Sequence, residues 1–188
     1  MNIYDAIQNR RSIRKFTQEP IAKEKLLQLV DCARMAAYPA NVQPLKFKII
    51  DDVALLKEVF PCTRWAGYLE NGTPTQEERP TAYILMLGDT SIIKYSDYQV
   101  EVGAAGATMT LAATGAGIAS CWLGALNREK LREILNIPEH LIILDMIALG
   151  YPAQRSQAIL REQGVIKYYL GEENVLQVPK RSLEEVLY

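Results

Sequence analysis

The feature that most constrains the fold is a long stretch without any charged residue, which runs from Val102 to Asn127. A stretch of this length could cross a lipid bilayer as a helix. Most of its residues, however, are Gly, Ala and Thr, and few are the large aliphatic or aromatic residues that drive membrane insertion. The pattern therefore favours two buried elements over a membrane span: a helix from Tyr98 to about Thr114 and a strand from Ile118 to Leu123.

Composition limits the class of protein. With 188 residues and 49% hydrophobic content, the chain is expected to fold as a single domain over residues 1–188 with a sizeable core. A net charge of −1 argues against nucleic acid as a partner. The first residues lack a secretory signal, and Cys32, Cys62 and Cys121 form no C-x-x-C pair, so we expect a cytoplasmic protein with no disulfide framework and no metal site.

Hydrophobic periodicity predicts the remaining elements. The amphipathic stretch from Ile21 to Ala37 is predicted to bury a stripe of Leu26, Leu27, Val30, Ala33 and Ala37. The region 61–80 is a loop longer than a simple connection needs, and 153–169 is ambiguous. The tail from Val175 is expected to pack on the domain. Further helices are predicted at 3–8, 53–60 and 128–135, and further strands at 45–51, 81–87 and 141–149.

The most concentrated charge lies in Arg10-Arg11-Ser12-Ile13-Arg14-Lys15-Phe16, referred to below as the arginine segment. If it is extended, Arg10, Ser12 and Arg14 project from one face, and two guanidinium groups beside a hydroxyl can bind a phosphate. A solvated basic patch is the alternative interpretation.

Three further motifs have both a structural and a functional interpretation. On an extended segment, Asn41 and Gln43 would face the same way and could bind the edge of a planar heterocycle, or Asn41 could simply stabilise a turn between two prolines. Gly115 to Ser120 follows a helix and precedes a strand, the reverse of a dinucleotide-binding loop, so these glycines are expected to end the helix. Two glycines inside that helix, Gly103 and Gly106, predict tight packing against another element.

The sequence offers no general acid or base, and no catalytic residue is predicted. His140, the only histidine, lies in a polar turn before a strand and is expected to be an exposed loop residue. Cys121 has no neighbour in the sequence that would stabilise a thiolate, so it is expected to be a small buried hydrophobic residue.

Four motifs follow one another along the chain: RRSIRKF, P-x-N-x-Q-P from Pro39 to Pro44, CWLG from Cys121 to Gly124, and VPKR from Val178 to Arg181. With these motifs in this order, the chain resembles the nitroreductase family of FMN-dependent oxidoreductases from end to end. The resemblance implies an α+β three-layer sandwich with a central, mainly antiparallel sheet flanked by helices. It also implies an interlocked homodimer with FMN between the subunits, and a subunit contact along the Gly- and Ala-rich helix.

The resemblance also implies a set of cofactor-binding residues. Arg10, Ser12 and Arg14 with Lys180 and Arg181 would bind the phosphate and ribityl end, and Asn41, Gln43, Leu123 and Gly124 the ring, with Arg11 as a further member of the cofactor-binding set. Tyr38 and Pro39 belong to the same set, although Ala37-Tyr38-Pro39 replaces the family's usual proline-serine-alanine. In the long loop, Trp65 and Tyr68 could either stack on an acceptor as a substrate lid or anchor the loop to the core.

These implications define a function and its alternatives. The expected enzyme transfers hydride from NADH or NADPH through FMN to a small flat acceptor, a nitroaromatic or a quinone, in a ping-pong reaction. Reductive dehalogenation and flavin fragmentation are alternative reactions for an enzyme of the same fold. Two alternatives belong to other classes of protein. One is a non-catalytic module that stores or senses FMN, and the other is an anion-binding interaction domain built on the arginine segment.

Overall fold

The structure, a computed structural model, describes residues 1–93, 98–162 and 164–188. Its helices α1 to α5 span Ile3–Asn9, Lys23–Arg34, Val53–Val59, Gln99–Gly115 and Arg128–Leu135. Its strands β1 to β7 span Leu45–Ile50, Ala82–Asp89, Ala119–Leu123, Leu141–Gly150, Ser156–Leu160, Tyr169–Leu170 and Leu176–Lys180. The helices and strands expected from periodicity are all present, with boundaries that differ by at most three residues.

The centre of the molecule is a four-stranded antiparallel sheet in the order β1-β2-β4-β3. Every residue of β2 is buried, because helices cover both faces of the sheet. On one face, Ile84 and Met86 pack with residues of α2 and α4. On the other, Tyr83, Leu85 and Leu87 pack with residues of α3 and α5. This arrangement confirms the predicted α+β sandwich of three layers.

The uncharged stretch forms α4 and β3, as the composition predicted. The two elements are joined by Gly117, whose φ of +73° is left-handed and suits glycine at the end of a helix. Ile118 N donates to Ala113 O at 2.8 Å and Gly117 N donates to Thr114 O at 3.1 Å, which satisfies carbonyls of the last turn. The glycines therefore end the helix and do not form a phosphate-binding loop. Within the described residues, no helix has the length and apolarity that a membrane crossing needs.

The predicted stripe of α2 needs correction. Leu26 and Ala33 are buried as predicted, but Leu27 is 54% exposed and Leu29 takes its place at 3%. Residues at i, i+3 and i+7 share a helical face, which selects Leu26, Leu29 and Ala33 and turns Leu27 about 100° away. Ala37 lies beyond the helix, which ends at Arg34, and is exposed.

Within the chain, Gly106 has a different neighbour from the one expected. A Cβ built on Gly106 would lie less than 3.0 Å from the ring of Trp122 in β3. A Cβ on Gly103 would meet no atom of the described residues within 4 Å, apart from its chain neighbours and the backbone of its own helix. The close packing at Gly106 is therefore internal, helix α4 against strand β3, and only Gly103 leaves space for a second molecule.

The ambiguous stretch and the tail form a second sheet in the order β5-β7-β6. Strand β7 of the tail lies in its centre, parallel to β5 and antiparallel to β6. The tail thus packs on the chain as predicted. The ambiguous stretch supplies β5 and the first residue of β6, while Gln163 lies outside the described residues.

Candidate functional site

The arginine segment lies along β3. Ser12 and Ser120 form a parallel bridge, and Ile13 N donates to Ser120 O at 2.9 Å. Ile13 and Phe16 are buried against Ala119, which fixes the segment on the domain by its apolar residues. The cationic residues between them are thereby held at defined positions, and the segment is not a freely solvated patch.

Arg11 has a buried guanidinium nitrogen without a partner in the described part of the chain. Its Nη1 donates to Arg10 O at 2.6 Å, but its Nε is buried and has no hydrogen-bond partner within the described residues. Burial, and secondly the charge of Arg10, lower the pKa of Arg11 below its usual value. A buried guanidinium atom beside a second guanidinium is costly unless an anion binds there.

A small cavity adjoins this guanidinium. It has a volume of about 220 Å³ and lies between the arginine segment, the turn after α4 and the chain that enters β5. Arg11 and Ile13 both line it, as the predicted alternation of an extended segment requires. Its other polar walls are Asn9, Thr114, Gln154 and Ser156. These groups suit an anion of phosphate size.

Arg14 makes three contacts, one through its backbone and two through its guanidinium group. Its backbone N donates to Gln154 Oε1 at 3.2 Å and its Nη1 donates to Ser12 O at 3.3 Å. Its guanidinium lies 4.5 Å from the centre of the Tyr168 ring, a cation–π contact. Gln154 and Tyr168 were missed by sequence analysis because they lie in the stretch of ambiguous pattern.

The far end of β3 carries the predicted ring-contacting residues. Leu123 is buried, and Gly124 follows the strand directly. Trp122 Nε1 donates to Asp145 Oδ2 at 2.7 Å, and Arg128 Nη2 donates to Gly124 O at 3.1 Å. These bonds fix the backbone at the strand end, so a flat ligand there would meet a rigid wall.

Cys121, in the same strand, is not a nucleophile. It is 3% exposed, and burial raises the pKa of its thiol to about 11, although Arg14 acts in the opposite direction. The thiol is therefore protonated at neutral pH, which agrees with the sequence interpretation of a small buried hydrophobic residue.

The segment that holds the two amides is not extended, which corrects the prediction. Ala40, Asn41 and Gln43 have φ values of 47°, 54° and 52°, and Pro39–Asn41 form a single 3₁₀ turn. The two amides nevertheless meet, because Gln43 Nε2 donates to Asn41 Oδ1 at 3.0 Å. Asn41 and Gln43 are both exposed.

Tyr38 and Pro39 occupy the beginning of this turn. Tyr38 is half-buried, and its hydroxyl donates to Ala33 O at 2.9 Å. Burial, and secondly Glu101, raise the pKa of Tyr38. The Tyr38 hydroxyl is thus committed to α2, whereas Pro39 is exposed beside the two amides.

Within one chain, the two groups of candidate residues lie on opposite edges of the sheet. The 39–43 turn leads into β1, whereas the arginine segment lies on β3. In the order β1-β2-β4-β3, three strand spacings separate these edges, roughly 14 Å. One chain alone therefore does not bring Asn41 and Gln43 to Leu123 and Gly124.

Lys180 and Arg181 also lie away from the arginine segment. Strand β5 begins at Ser156, near the arginine segment, and ends at Leu160. Lys180 pairs with Leu160, so it lies about 13 Å from Ser156 along the strand. Both residues are exposed, and Arg181 Nη2 donates to Glu185 O. The structure thus does not place the two tail cations beside the segment within one chain.

The long loop carries Trp65 and Tyr68 in different environments. Trp65 is half-buried, donates from Nε1 to Thr63 Oγ1 at 2.7 Å and stacks on Phe60 with ring centres 6.0 Å apart. Tyr68 is 50% exposed and contacts the Tyr168 ring at 5.1 Å. Trp65 thus anchors the loop, while Tyr68 reaches the ring that stacks on Arg14.

Comparison with known proteins agrees with this fold. The nitroreductase family profile matches residues 7–151. A protein of Archaeoglobus fulgidus, provisionally named NADH dehydrogenase/NAD(P)H nitroreductase, is 33% identical over 152 residues, which cover 78% of this chain and 83% of the relative. An FMN reductase [NAD(P)H] of Bacillus subtilis is 26% identical over 175 residues, covering 82% and 67% of the two chains.

A solved structure shows the same fold at lower identity. The FMN-dependent nitroreductase of Clostridium difficile R20291 superposes with a TM-score of 0.67 at 22% identity, covering 81% of this chain and 88% of the other. The fold is thus that of a nitroreductase sandwich. The chain belongs to the nitroreductase family. This membership confirms the predicted enzyme class, an NAD(P)H-dependent oxidoreductase.

Proposed function

We propose that the protein is an FMN-dependent oxidoreductase that takes hydride from NADH or NADPH and passes it to a small flat acceptor of the nitroaromatic or quinone type. The observation that carries the proposal is the arginine segment on β3, with the buried, unpaired Nε of Arg11. The names of the Bacillus subtilis and Clostridium difficile proteins support the choice of cofactor. Residues 1–188 act in this proposal as one domain.

The residues present fit FMN. At one end of β3 the arginine segment offers donors to a phosphate on both of its faces, Arg10, Ser12 and Arg14 on one and Arg11 on the other, and Leu123 and Gly124 offer a rigid wall at the far end. The cofactor likewise carries its phosphate and its ring at opposite ends of a ribityl chain. One strand can therefore position both ends of the same molecule.

A second copy of the chain completes the site in this proposal. Asn41 and Gln43 lie on the opposite edge of the sheet, so they reach a ring at β3 only if another subunit contributes them. Pro39 accompanies them, and Lys180 ends β7, with Arg181 directly after it. Apolar residues left exposed in one chain support such a contact: Ile3, Tyr4 and Ile7 of α1 and Leu183, Val186 and Leu187 of the tail.

When bound, FMN supplies a ring that accepts hydride from the nicotinamide and returns it to the acceptor. The residues of the chain bind and orient, and none acts as general acid or base. The guanidinium groups of the arginine segment would neutralise the phosphate, and Gly124 would allow a planar molecule to approach the backbone. Donor and acceptor would use this one site in turn, in a ping-pong reaction. Tyr68 lies beside Tyr168 and Arg14, where it can contact an acceptor.

Spectroscopy of the purified protein tests this function. A flavin absorption band that bleaches on a turnover timescale after anaerobic addition of NADH or NADPH, and returns on addition of menadione or nitrofurazone, is the expected result. A bound flavin that neither nucleotide reduces would indicate a module that stores or senses FMN. A protein that neither contains nor takes up FMN would instead favour an anion-binding domain.

A further inference from the structure

Two cations and two tyrosines form a continuous row of contacts, referred to below as the aromatic row. The Arg14 guanidinium lies 4.5 Å from the centre of the Tyr168 ring, and the ring centres of Tyr168 and Tyr68 lie 5.1 Å apart. Lys167 Nζ lies 6.0 Å from the centre of the Tyr68 ring. The row therefore leads from the arginine segment, through two rings, to a second cation.

Backbone contacts place the aromatic row toward the far end of β3. The bridge between Ser12 and Ser120 is parallel, so the arginine segment runs in the direction of β3 and Arg14 lies further along it. The long loop, which supplies one of the two rings, is attached just beyond the strand, because Arg64 N donates to Ala125 O at 3.1 Å. The aromatic row thus adjoins the end of β3 that is proposed to carry the flavin ring.

The two cations of the row are not neutralised within the described residues. Neither Arg14 nor Lys167 takes part in any of the ion pairs found there. Arg14 already belongs to the candidate FMN site, whereas Lys167 is exposed and contacts only the ring beside it. Lys167 is therefore the cation of the row that a second, anionic ligand can use.

The row also presents a ring to a planar ligand. Tyr168 is half-buried and contacts both Arg14 and Tyr68, which fixes its position. Tyr68 is 50% exposed, so part of its ring is free to stack. An exposed ring beside an unpaired ammonium group suits a planar base that carries a phosphate, because the base stacks on the ring and the phosphate pairs with the cation.

We propose that the aromatic row binds the adenosine 2′-phosphate half of NADPH, with the adenine on Tyr68 and the 2′-phosphate on Lys167. Lys167 is then the residue that selects NADPH over NADH, since the two nucleotides differ only in this phosphate. The inference rests on the proposed function, because it states which of two hydride donors the same site prefers. In a ping-pong reaction, Tyr68 can contact the donor and the acceptor in turn.

Calorimetric titration of the flavin-loaded protein with NADP⁺ and NAD⁺ tests this preference without turnover. Wild type is expected to bind NADP⁺ roughly ten- to a hundredfold more tightly than NAD⁺, the effect of a hydrogen bond between charged groups. Lys167→Met should weaken NADP⁺ alone and remove the difference, and Lys167→Arg should retain it. Lys57→Met, at an exposed lysine of α3, is the matched control and should bind both nucleotides as wild type does. Equal affinity of wild type for the two nucleotides would overturn the proposal.

Tyr68→Ala tests the other half of the interaction. The adenine is common to both nucleotides, so this variant should weaken NADP⁺ and NAD⁺ alike, by about tenfold, and leave the ratio of their affinities unchanged. Unchanged affinity for both nucleotides would contradict the stacking of adenine on Tyr68.

Stopped-flow reduction separates failure of this inference from failure of the proposed function. The rate constant for flavin reduction per unit of nucleotide concentration should be higher for NADPH than for NADH, and Lys167→Met should remove the difference. A flavin that both nucleotides reduce equally well, in wild type and in Lys167→Met, would overturn the inference and leave the oxidoreductase function intact. A flavin that neither nucleotide reduces would contradict the function, while titration with NADP⁺ would still decide the role of Lys167.

Discussion

At the scale of single residues, burial decides the chemistry of Cys121. Burial raises its thiol pKa from an ordinary value near 9 to about 11, so the thiolate that reacts with iodoacetamide is scarce at pH 8. We predict that native protein at pH 8 is alkylated at the half-buried Cys32 and protected at Cys121, as measured by mass spectrometry. Rapid labelling of Cys121 under native conditions would contradict its burial in β3.

The same shift links Cys121 to stability. The pKa of this thiol is higher in the folded state than in the unfolded state, so the fold favours the protonated form. The contribution of the thiol to the free energy of unfolding is complete below about pH 9 and is lost as pH rises toward 11. Cys121→Ala should therefore lose less stability than wild type between pH 8 and pH 11 in urea titrations. An identical pH dependence in the two proteins would show that Cys121 does not titrate in this range.

At the scale of elements, the packing of α4 on β3 depends on Gly106. A Cβ there would clash with the Trp122 ring, so Gly106→Ala should lower the free energy of unfolding by about 1–3 kcal/mol. Gly103→Ala is the matched control: no atom of the described chain blocks it, and alanine favours the helix by about 0.5–1 kcal/mol. Urea unfolding of both variants measures the difference, and equal effects would refute the internal contact.

The long loop gives a second prediction at this scale. Trp65 packs on both sides, against Phe60 and against the buried residues of the arginine segment, so Trp65→Ala should destabilise the protein by about 2 kcal/mol. Activity should then fall alike for all acceptors. Tyr68→Ala should keep stability within about 0.5 kcal/mol and change the ratio of kcat/KM between menadione and nitrofurazone. Acceptor selectivity that changes only in Trp65→Ala would reverse these roles.

At the scale of the whole molecule, the proposal links flavin to assembly. Ile7 is 48% exposed on α1, and Ile7→Glu should give a monomer that loses FMN, because Asn41 and Gln43 of a second copy no longer reach the ring. Light scattering and flavin absorbance measure the two effects together. Val53→Glu, at an exposed apolar residue on the other side of the sheet, should remain dimeric and yellow. An Ile7→Glu monomer that still holds FMN would contradict a shared site.

Sequence reasoning predicted the layers of this molecule better than it predicted the site. The uncharged stretch and the alternation of apolar residues identify α4, β3 and the central strands, because local period and burial are directly related. At Asn41 and Gln43 the extended interpretation was wrong and the alternative of a turn between two prolines was right; the left-handed backbone of these non-glycine residues has little sequence signal. Tyr168 was missed because its contacts with Arg14 and Tyr68 join distant parts of the chain.

The central claim is that the arginine segment binds the phosphate of FMN, and the affinities of FMN and riboflavin for the apoprotein test it most directly. Riboflavin has the ring and the ribityl chain but no phosphate. A hydrogen bond to a charged group contributes about 1.5–3 kcal/mol, so Arg11→Gln should weaken FMN binding roughly ten- to a hundredfold and leave riboflavin binding nearly unchanged. Arg14→Ala tests the opposite face of the segment, and a selective loss of FMN affinity in that variant alone would place the phosphate beside Ser12. Equal losses for both ligands, or no loss for either, would contradict the assignment of this segment to the phosphate.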